Sequence, residues 1–112
     1  MIELPYPAKI LWPNGRGHWA VKAKAFKEHK RWAWSAGLAS AIPSLRDGRF
    51  NWRVTFHPKT RHPVDDDNAR ASLKAYQDGF ALAFGIDDKL FNAPSVTFGE
   101  PIKGGLVRVE FL

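Results

Sequence analysis

A strand pattern followed by a helix pattern in the middle of the chain limits the folds that it can adopt. From residue 50 to 56, large apolar side chains alternate with polar ones, which predicts a strand with one buried face. After a short basic loop, apolar residues recur at helical spacing from Ala69 to Phe84, and Gly85 is a typical helix end. The pattern therefore predicts a strand joined to one helix, which starts at the aspartates of residues 65–67 and ends at Gly85.

Weaker patterns on both sides complete the predicted fold. Short strands are predicted at residues 2–4, 95–98 and 106–112, with a hairpin turn at 103–105. A long helix is predicted at residues 20–42. Its expected apolar side consists of Phe26, Ala33, Trp34, Leu38, Ala41 and Ile42. This order of elements predicts one two-layer α+β domain over residues 1–112, a mixed sheet with helices packed on one face.

The composition excludes several classes of protein. With 112 residues, 45% of them hydrophobic, the chain can bury a core without cross-links. The absence of cysteine excludes disulfides, thiolate catalysis and zinc–thiolate sites, and we expect a cytoplasmic location. No apolar run approaches the ~18 residues of a membrane span, and the N-terminus lacks the pattern of a secretory leader. We therefore expect no membrane association.

The charges are separated along the chain. The formal net charge is +6, which favours polyanions such as nucleic acids as partners. Between residues 65 and 88, six aspartates stand against two basic residues, a balance of −4, whereas the rest of the chain has fifteen basic and five acidic residues, a balance of +10. An acidic segment in a basic chain suits metal-dependent chemistry on nucleic acid, because carboxylates bind hard divalent cations while basic surroundings attract phosphate.

Two groups of aspartates are candidate metal ligands. Asp65, Asp67 and Asp88 offer oxygen donors suited to Mg²⁺ or Mn²⁺, and Lys74 can stabilise the leaving oxygen of a phosphodiester. Each part also has a structural explanation, since an aspartate is a common helix cap, an Asp-Asp pair a common turn, and a single lysine usually a surface residue. The combination favours a metal site, because a cap needs one carboxylate and adjacent carboxylates repel each other. Spacing alone leaves open whether Asp88 meets Asp65 and Asp67.

Basic residues before the aspartates are candidates for phosphate contacts. They lie in a proline- and glycine-rich loop, along the first predicted helix and in the loop that precedes the aspartates. The candidates are Lys9, Arg16, Lys22, Lys24, Lys27, Lys59 and Arg61. The alternative is a solvated surface without a specific partner, which is the commoner role of charged residues on helices and loops.

Five motifs resemble those of the RusA-type Holliday junction resolvases. The central ones read DDDN at residues 65–68, KAYQDG at 74–79 and AFGIDD at 83–88. In addition, LPYP at residues 4–7 and PIKGG at 101–105 are similar to the opening and closing segments of that family. The resemblance covers nearly the whole chain, although the central motifs are the most specific part of it.

The resemblance implies a set of roles for the central residues. Asp65, Asp67 and Asp88 would bind the metal and act in catalysis together with Lys74, and Asn68 would support the cluster. The family's activity implies a Mg²⁺-dependent homodimer that cuts four-way DNA junctions symmetrically, with Mn²⁺ as a substitute metal and no small-molecule cofactor.

Three further residues have supporting positions in this scheme. Asp66 fills the variable position of the first motif, and Asp87 precedes Asp88 in the last one. Lys74 follows Asp67 by seven residues, where the family pattern has four, so Arg70 is an alternative for the basic role.

The sequence thus predicts a junction-resolving endodeoxyribonuclease, with three alternatives left open. The first is a non-catalytic DNA-binding module, such as a domesticated prophage protein, which would bind in a salt-sensitive way without cutting. The second is a general Mg²⁺ nuclease acting on flaps, forks or RNA, and the third is a basic structural or assembly protein.

Overall fold

Four strands and three α-helices account for most of the chain that is described. The computed structural model describes residues 1–61 and 64–112. In chain order the elements are β1 (Ile2–Pro5), a 3-10 helix (Lys9–Leu11), α1 (Trp19–Leu38), β2 (Trp52–His57), α2 (Asp66–Ala71), α3 (Lys74–Phe84), a second 3-10 helix (Asp88–Leu90), β3 (Ser95–Phe98) and β4 (Leu106–Phe111).

The strands form one mixed sheet in the order β1-β4-β2-β3. Strand β4 runs antiparallel to both β1 and β2, while β2 and β3 are parallel. Parallel pairing requires a long crossover, which the two helices α2 and α3 supply between β2 and β3. The predicted alternation of the central strand is confirmed, since Trp52, Val54 and Phe56 are buried.

One face of the sheet is buried under helices and the other is polar. Apolar residues of β1, β2 and β4 form a single core cluster with residues of all three α-helices. On the opposite face lie an Arg53–Glu110 ion pair at 3.2 Å and an Arg108–Glu3 ion pair at 2.8 Å. The predicted two-layer α+β fold with a mixed sheet is therefore confirmed. No helix in the described part of the chain is long and apolar enough to cross a membrane.

The predicted hairpin at residues 103–105 is wrong. Strands β3 and β4 lie on opposite sides of β2 and do not pair with each other. The loop between them passes the end of β2, where the Ile102 amide donates to the Pro58 carbonyl at 2.9 Å. Gly104 and Gly105 have positive φ angles of 83° and 71°, so the predicted turn is present. A local turn does not determine which strand pairs with the one that follows it.

Helix α1 ends earlier than predicted and buries only part of the predicted side. Its buried residues are His29, Ala33 and Gly37, of which Ala33 was predicted. Of the other residues of the predicted side, Phe26 is half-buried, and the exposed ones are Trp34, Leu38, Ala41 and Ile42. Trp32 packs against the core, which confirms the expectation that Trp32 and Trp34 cannot both point inward.

Close helix packing explains that choice of side. His29 stacks near Tyr76, a Cβ on Gly79 would lie 2.8 Å from Ala33 Cβ, and one on Gly37 would lie 2.7 Å from Ala83 Cβ. Residues 29, 33 and 37 of α1 therefore lie beside residues 76, 79 and 83 of α3, in the same order, so the two helices run parallel. Small residues let the backbones approach, and large side chains such as Trp34 are excluded from the seam.

The single helix predicted from residue 66 to Gly85 is two helices. It is interrupted at Ser72 and Leu73, where the Leu73 amide donates to the Arg70 carbonyl three residues back at 3.2 Å. The Ser72 hydroxyl donates to the Ala69 carbonyl at 2.6 Å and stabilises this tighter turn. The predicted end is confirmed, since Gly85 has φ 68° in the left-handed region.

Candidate functional site

Asp65 organises the N-terminus of α2. Its Oδ1 accepts hydrogen bonds from the backbone amides of Asp67 at 2.8 Å and Asn68 at 3.1 Å. This is a helix cap, which satisfies two amides that have no partner within the helix. The structural explanation considered for the aspartates thus applies to Asp65, whereas the side chains of Asp66 and Asp67 take no part in the cap and both residues are exposed.

Asp67 is paired with Arg70 one turn later. The Arg70 Nη1 lies 3.0 Å from Asp67 Oδ1, and its Nε donates to the Pro94 carbonyl at 2.9 Å. The Asp67 side chain is 92% exposed, whereas that of Arg70 is 33% exposed. Arg70 therefore connects α2 to the segment before β3 and holds Asp67 from one side.

Lys74 connects the other predicted acidic group to α3. Its Nζ donates a short hydrogen bond to Asp88 Oδ2 and lies 2.8 Å from Asp78 Oδ1. The contact with Asp78 is an ion pair, because its geometry is not that of a well-aligned hydrogen bond. Lys74 thus contacts Asp78 and Asp88 and makes no ion pair with Asp67.

Two more contacts hold Asp88 in place. Asp87 caps the second 3-10 helix, since its Oδ1 accepts from the Lys89 amide at 2.9 Å. The Gln77 side chain on α3 donates to the Asp88 carbonyl at 3.2 Å. The loop after α3 is therefore folded back onto the start of that helix, which brings Asp88 to Lys74 although the two are fourteen residues apart in the sequence.

The ion pairs keep Lys74 and Asp88 charged at neutral pH. Burial lowers the pKa of Lys74, but the close contacts with the carboxylates of Asp78 and Asp88 outweigh it, so that the net pKa is raised. The hydrogen bond from Lys74 lowers the pKa of Asp88. Lys74 is therefore a permanent cation beside a permanent carboxylate, which suits a role in stabilising negative charge but not one as a general base.

Several candidate site residues line two grooves, and Asp88 lines neither of them. Asp67, Arg70 and Lys74 line one groove of about 330 Å³ together with Ala93 and Pro94. A second cleft of about 540 Å³ is lined in part by Asp65 and Asn68. The start of α2 therefore contributes a carboxylate to each groove.

The predicted DNA-binding residues separate into groups. Lys9 and Lys59 line the same cleft as Asp65, and Arg61 lines a neighbouring groove beside Glu100. Lys24 and Lys27 line a groove on the outer side of α1 together with Trp34 and Leu82. The remaining two, Arg16 and Lys22, are exposed.

Mg²⁺, the metal that the resemblance implies, fits the donor chemistry of this region. Asp65, Asp67 and Asp88 present hard carboxylate oxygens, but each is engaged by amides, by an arginine or by a lysine. Within residues 1–61 and 64–112, no three His, Asp or Glu side chains are close enough together to hold a metal ion. Metal binding by these three aspartates stays a prediction and requires their side chains to approach one another.

Sequence reasoning missed several residues of this region as members of the site. The spacing of Lys74 and Asp78, four apart on a helix, predicts their ion pair. No sequence signal connects Gln77 with Asp88, because that contact depends on the fold of the loop after α3. The same holds for Tyr6 and Trp12, which form the aromatic wall of the cleft beside Asp65.

The chain is similar to a protein whose activity is not assigned. No family model matches the sequence. The chain is similar to an uncharacterized protein of Xylella fastidiosa (strain Temecula1 / ATCC 700964), with 41% identity over 98 residues that cover 80% of this chain and 61% of the relative. The chain therefore spans less than two thirds of that relative, whose description assigns it no activity.

Proposed function

We propose that this protein is a Mg²⁺-dependent endodeoxyribonuclease that cuts branched DNA, with four-way junctions as its substrate. In this proposal it works as a cytoplasmic homodimer, and the two copies act on opposed strands of a symmetric junction. Mn²⁺ is expected to replace Mg²⁺, because both prefer carboxylate oxygen ligands.

The observation that carries the proposal is the chain of contacts from Asp65 to Asp88. Asp65 caps the turn that presents Asp67, Asp67 shares a groove with Lys74, and Lys74 is bonded to Asp88. These residues come from the start of α2, from α3 and from the loop after α3, so they are linked through tertiary structure. Capping explains Asp65 and Asp87, and a local ion pair with Arg70 explains Asp67. The contact between Lys74 and Asp88 joins residues fourteen apart and has no local explanation.

The residues of the chain would divide the work of phosphodiester hydrolysis. Bound Mg²⁺ supplies a nucleophilic water and compensates charge on the phosphate. Asp65, Asp67 and Asp88 would hold the ion, and Lys74 would stabilise the negative charge on the leaving oxygen. Asn68, Arg70 and Asp87 would position the helix start and the loop that carry these groups.

The test is a cleavage assay with a synthetic four-way junction and a matched linear duplex. With Mg²⁺, we expect paired, symmetric nicks in the junction only, and no cutting in EDTA. Salt-sensitive binding without cutting would instead support a non-catalytic binding module, and equal cutting of flaps, forks or linear DNA would support a general nuclease. If the protein neither binds nor cuts any of these DNAs, the result would support a structural role.

A pair of variants tests the site within the same assay. Asp67→Asn removes the charge of a proposed ligand, so we expect cleavage to be abolished while junction binding is kept. Asp66→Asn is the matched control, because Asp66 is the adjacent exposed aspartate at the variable motif position. If Asp67→Asn cut the junction as fast as Asp66→Asn, the site assignment would be wrong.

A further inference from the structure

The cleft beside Asp65 has a feature that the proposed metal chemistry does not use. Its volume is about 540 Å³, within the range of pockets that bind small organic ligands. One wall is the start of α2, and the other is built by the LPYP segment at residues 4–7 and the 3-10 helix that follows it. The cleft is therefore continuous with the proposed site and has room for a single nucleotide.

The far wall is aromatic and rigid. The rings of Tyr6 and Trp12 are nearly parallel, with centroids 5.9 Å apart and planes 18° apart. Both are supported from below by the edge-on ring of Phe56, at 5.7 and 5.9 Å. The Trp12 indole donates to the Pro7 carbonyl at 3.1 Å, which fixes its orientation. A preformed aromatic surface of this kind binds the flat face of a nucleobase.

The Tyr6 hydroxyl is an unused polar group in this wall. It is buried and forms no hydrogen bond with any residue in the described part of the chain. Burial raises the pKa of Tyr6, so that the phenol keeps its proton at neutral pH and remains a donor as well as an acceptor. A buried polar group without a partner is costly, and the edge of a bound base would supply one after displacing the atoms that cover the hydroxyl.

The rim of the cleft carries positive charge. Lys9 and Lys59 are exposed, and neither forms an ion pair within residues 1–61 or 64–112. Both line the cleft together with Tyr6 and Trp12, so they could contact the phosphates of a strand whose base points inward. A base paired within a duplex is stacked on its neighbours and cannot enter, so only an unpaired one fits.

We propose that this cleft binds the base of one unpaired nucleotide of a DNA strand, stacked on Tyr6 and Trp12, with Lys9 and Lys59 on the flanking phosphates. Selection of branched DNA would then come from a base at the branch point, where unstacking and unpairing cost least because base stacking is interrupted. The inference deepens the proposed function and rests on it for the position of the cut, but the binding step does not require cleavage.

The test compares three DNA hairpins that differ at one position, by fluorescence anisotropy in EDTA. One has an unpaired adenine bulge, one an abasic bulge, and one is fully paired. We expect the wild-type protein to bind the adenine bulge about 5- to 100-fold more tightly than the abasic one, because this is the gain in affinity that the stacking of one base on an aromatic ring provides. Equal affinity for the two bulges would overturn the proposal.

Four variants locate the effect. Trp12→Ala should remove the preference for adenine over the abasic bulge, Trp12→Phe should retain it, and Tyr6→Phe should reduce it about 2- to 10-fold. Trp34→Ala is the control, because Trp34 is a partly exposed tryptophan on α1, away from this cleft. An equal loss for all three hairpins in Trp12→Ala, or loss of the preference in Trp34→Ala, would contradict the assignment.

The outcome separates this inference from the nuclease proposal. If the preference is found but no DNA is cut, the cleft stands and the nuclease proposal fails. If junctions are cut in Mg²⁺ but the bulges bind equally, the nuclease proposal stands and the cleft assignment fails.

Discussion

At the scale of single residues, Lys74 and Arg70 are the two cations paired with aspartates of the site, and their contacts differ. Arg70 donates to a backbone carbonyl across the fold, whereas both contacts of Lys74 are to carboxylates. An arginine held in this way positions α2, while a half-exposed lysine can turn toward a substrate. In the proposed nuclease, Lys74 is therefore the better candidate for the basic role that the sequence left open between the two.

Single variants of the two cations should therefore separate activity from stability. We expect Lys74→Gln to lower the single-turnover cleavage rate about 10²- to 10³-fold, with less than about 1 kcal/mol lost from the free energy of unfolding. Arg70→Gln should cost about 1–2 kcal/mol of that free energy, because it removes a partly buried hydrogen bond, and should affect the rate less. If Arg70→Gln lowered the cleavage rate more than Lys74→Gln did, and Lys74→Gln lowered the free energy of unfolding more than Arg70→Gln did, the two roles would be reversed.

His29 is a buried titratable residue with a structural role. Its Nε2 accepts from the Ala8 amide at 3.0 Å, so Nδ1 carries the proton and donates to the Ala25 carbonyl at 2.7 Å. Burial lowers the pKa of His29 below the ordinary 6.5, and this outweighs the raising effects of the Ala25 bond and the Glu28 charge. Neutral His29 thus connects α1 to the segment that follows β1.

The lowered pKa of His29 predicts a loss of stability in weak acid. Above the ordinary pKa of 6.5 both states are neutral at this position, and below it the unfolded chain takes up the proton first. We expect the free energy of unfolding to fall from pH 6.5 downward until the pH passes the folded pKa. Urea titrations between pH 8 and 5 should show this slope, and it should be reduced in His29→Gln.

An exposed residue of the same helix serves as the control for this pH effect. Lys22 is exposed on α1, so Lys22→Gln, which leaves both hydrogen bonds of His29 in place, should keep the wild-type slope. The chosen pH range also lies above the region where Asp88 titrates, since its pKa is lowered from 3.8. Equal slopes in wild type and His29→Gln would contradict the prediction.

At the scale of elements, the contact between α1 and α3 depends on glycine. A Cβ at Gly79 would lie 2.2 Å from the Lys30 carbonyl oxygen, which is backbone and cannot move aside alone. We therefore expect Gly79→Ala to reduce the free energy of unfolding by about 1–3 kcal/mol, although alanine by itself favours helix by about 1 kcal/mol. Urea unfolding measures the difference.

Leu82→Ala on the same helix is the matched control. Leu82 is 58% exposed, so its truncation should change the free energy of unfolding by less than about 0.5 kcal/mol. If Gly79→Ala were as stable as wild type, the parallel packing of α1 on α3 described above would be wrong.

At the scale of the whole molecule, the net charge of +6 is spread over the chain, and a specific binding surface for polyanions requires several basic residues at one groove. Lys9 and Lys59 meet at the cleft beside Asp65, although fifty residues separate them in the sequence. Arg46 lies before β2, at the opposite end of that strand from Lys59. Charge placement, and not total charge, should therefore determine which lysines contact DNA.

The salt dependence of DNA binding tests that placement. We expect Lys9→Gln and Lys59→Gln each to reduce the slope of log K against log salt by about 1, because each removes one phosphate contact. Arg46→Gln removes the same charge elsewhere and should leave the slope unchanged. Equal effects of the three variants would indicate unspecific attraction by net charge.

The elements that follow from local sequence patterns were predicted well. The alternation at residues 50–56, the helix stop at Gly85 and the strand starting at residue 95 each depend on neighbours in the chain, and all three are present. The break at Ser72 was missed, because helical spacing continues through it and the tighter turn depends on a single serine hydroxyl. The buried side of α1 was also misjudged, since the partner helix and not the size of the apolar residues selected it.

Sequence alone thus determined the fold class, the acidic start of α2 and the basic surroundings, because periodicity, capping and charge depend on short stretches of the sequence. Only the tertiary structure decided that β4 lies between β1 and β2, that Lys74 pairs with Asp88 and not with Asp67, and that an aromatic cleft lies beside Asp65. The physical reason is common to all three. Each depends on contacts between distant parts of the chain, and their energies are set by packing and burial that no local pattern contains.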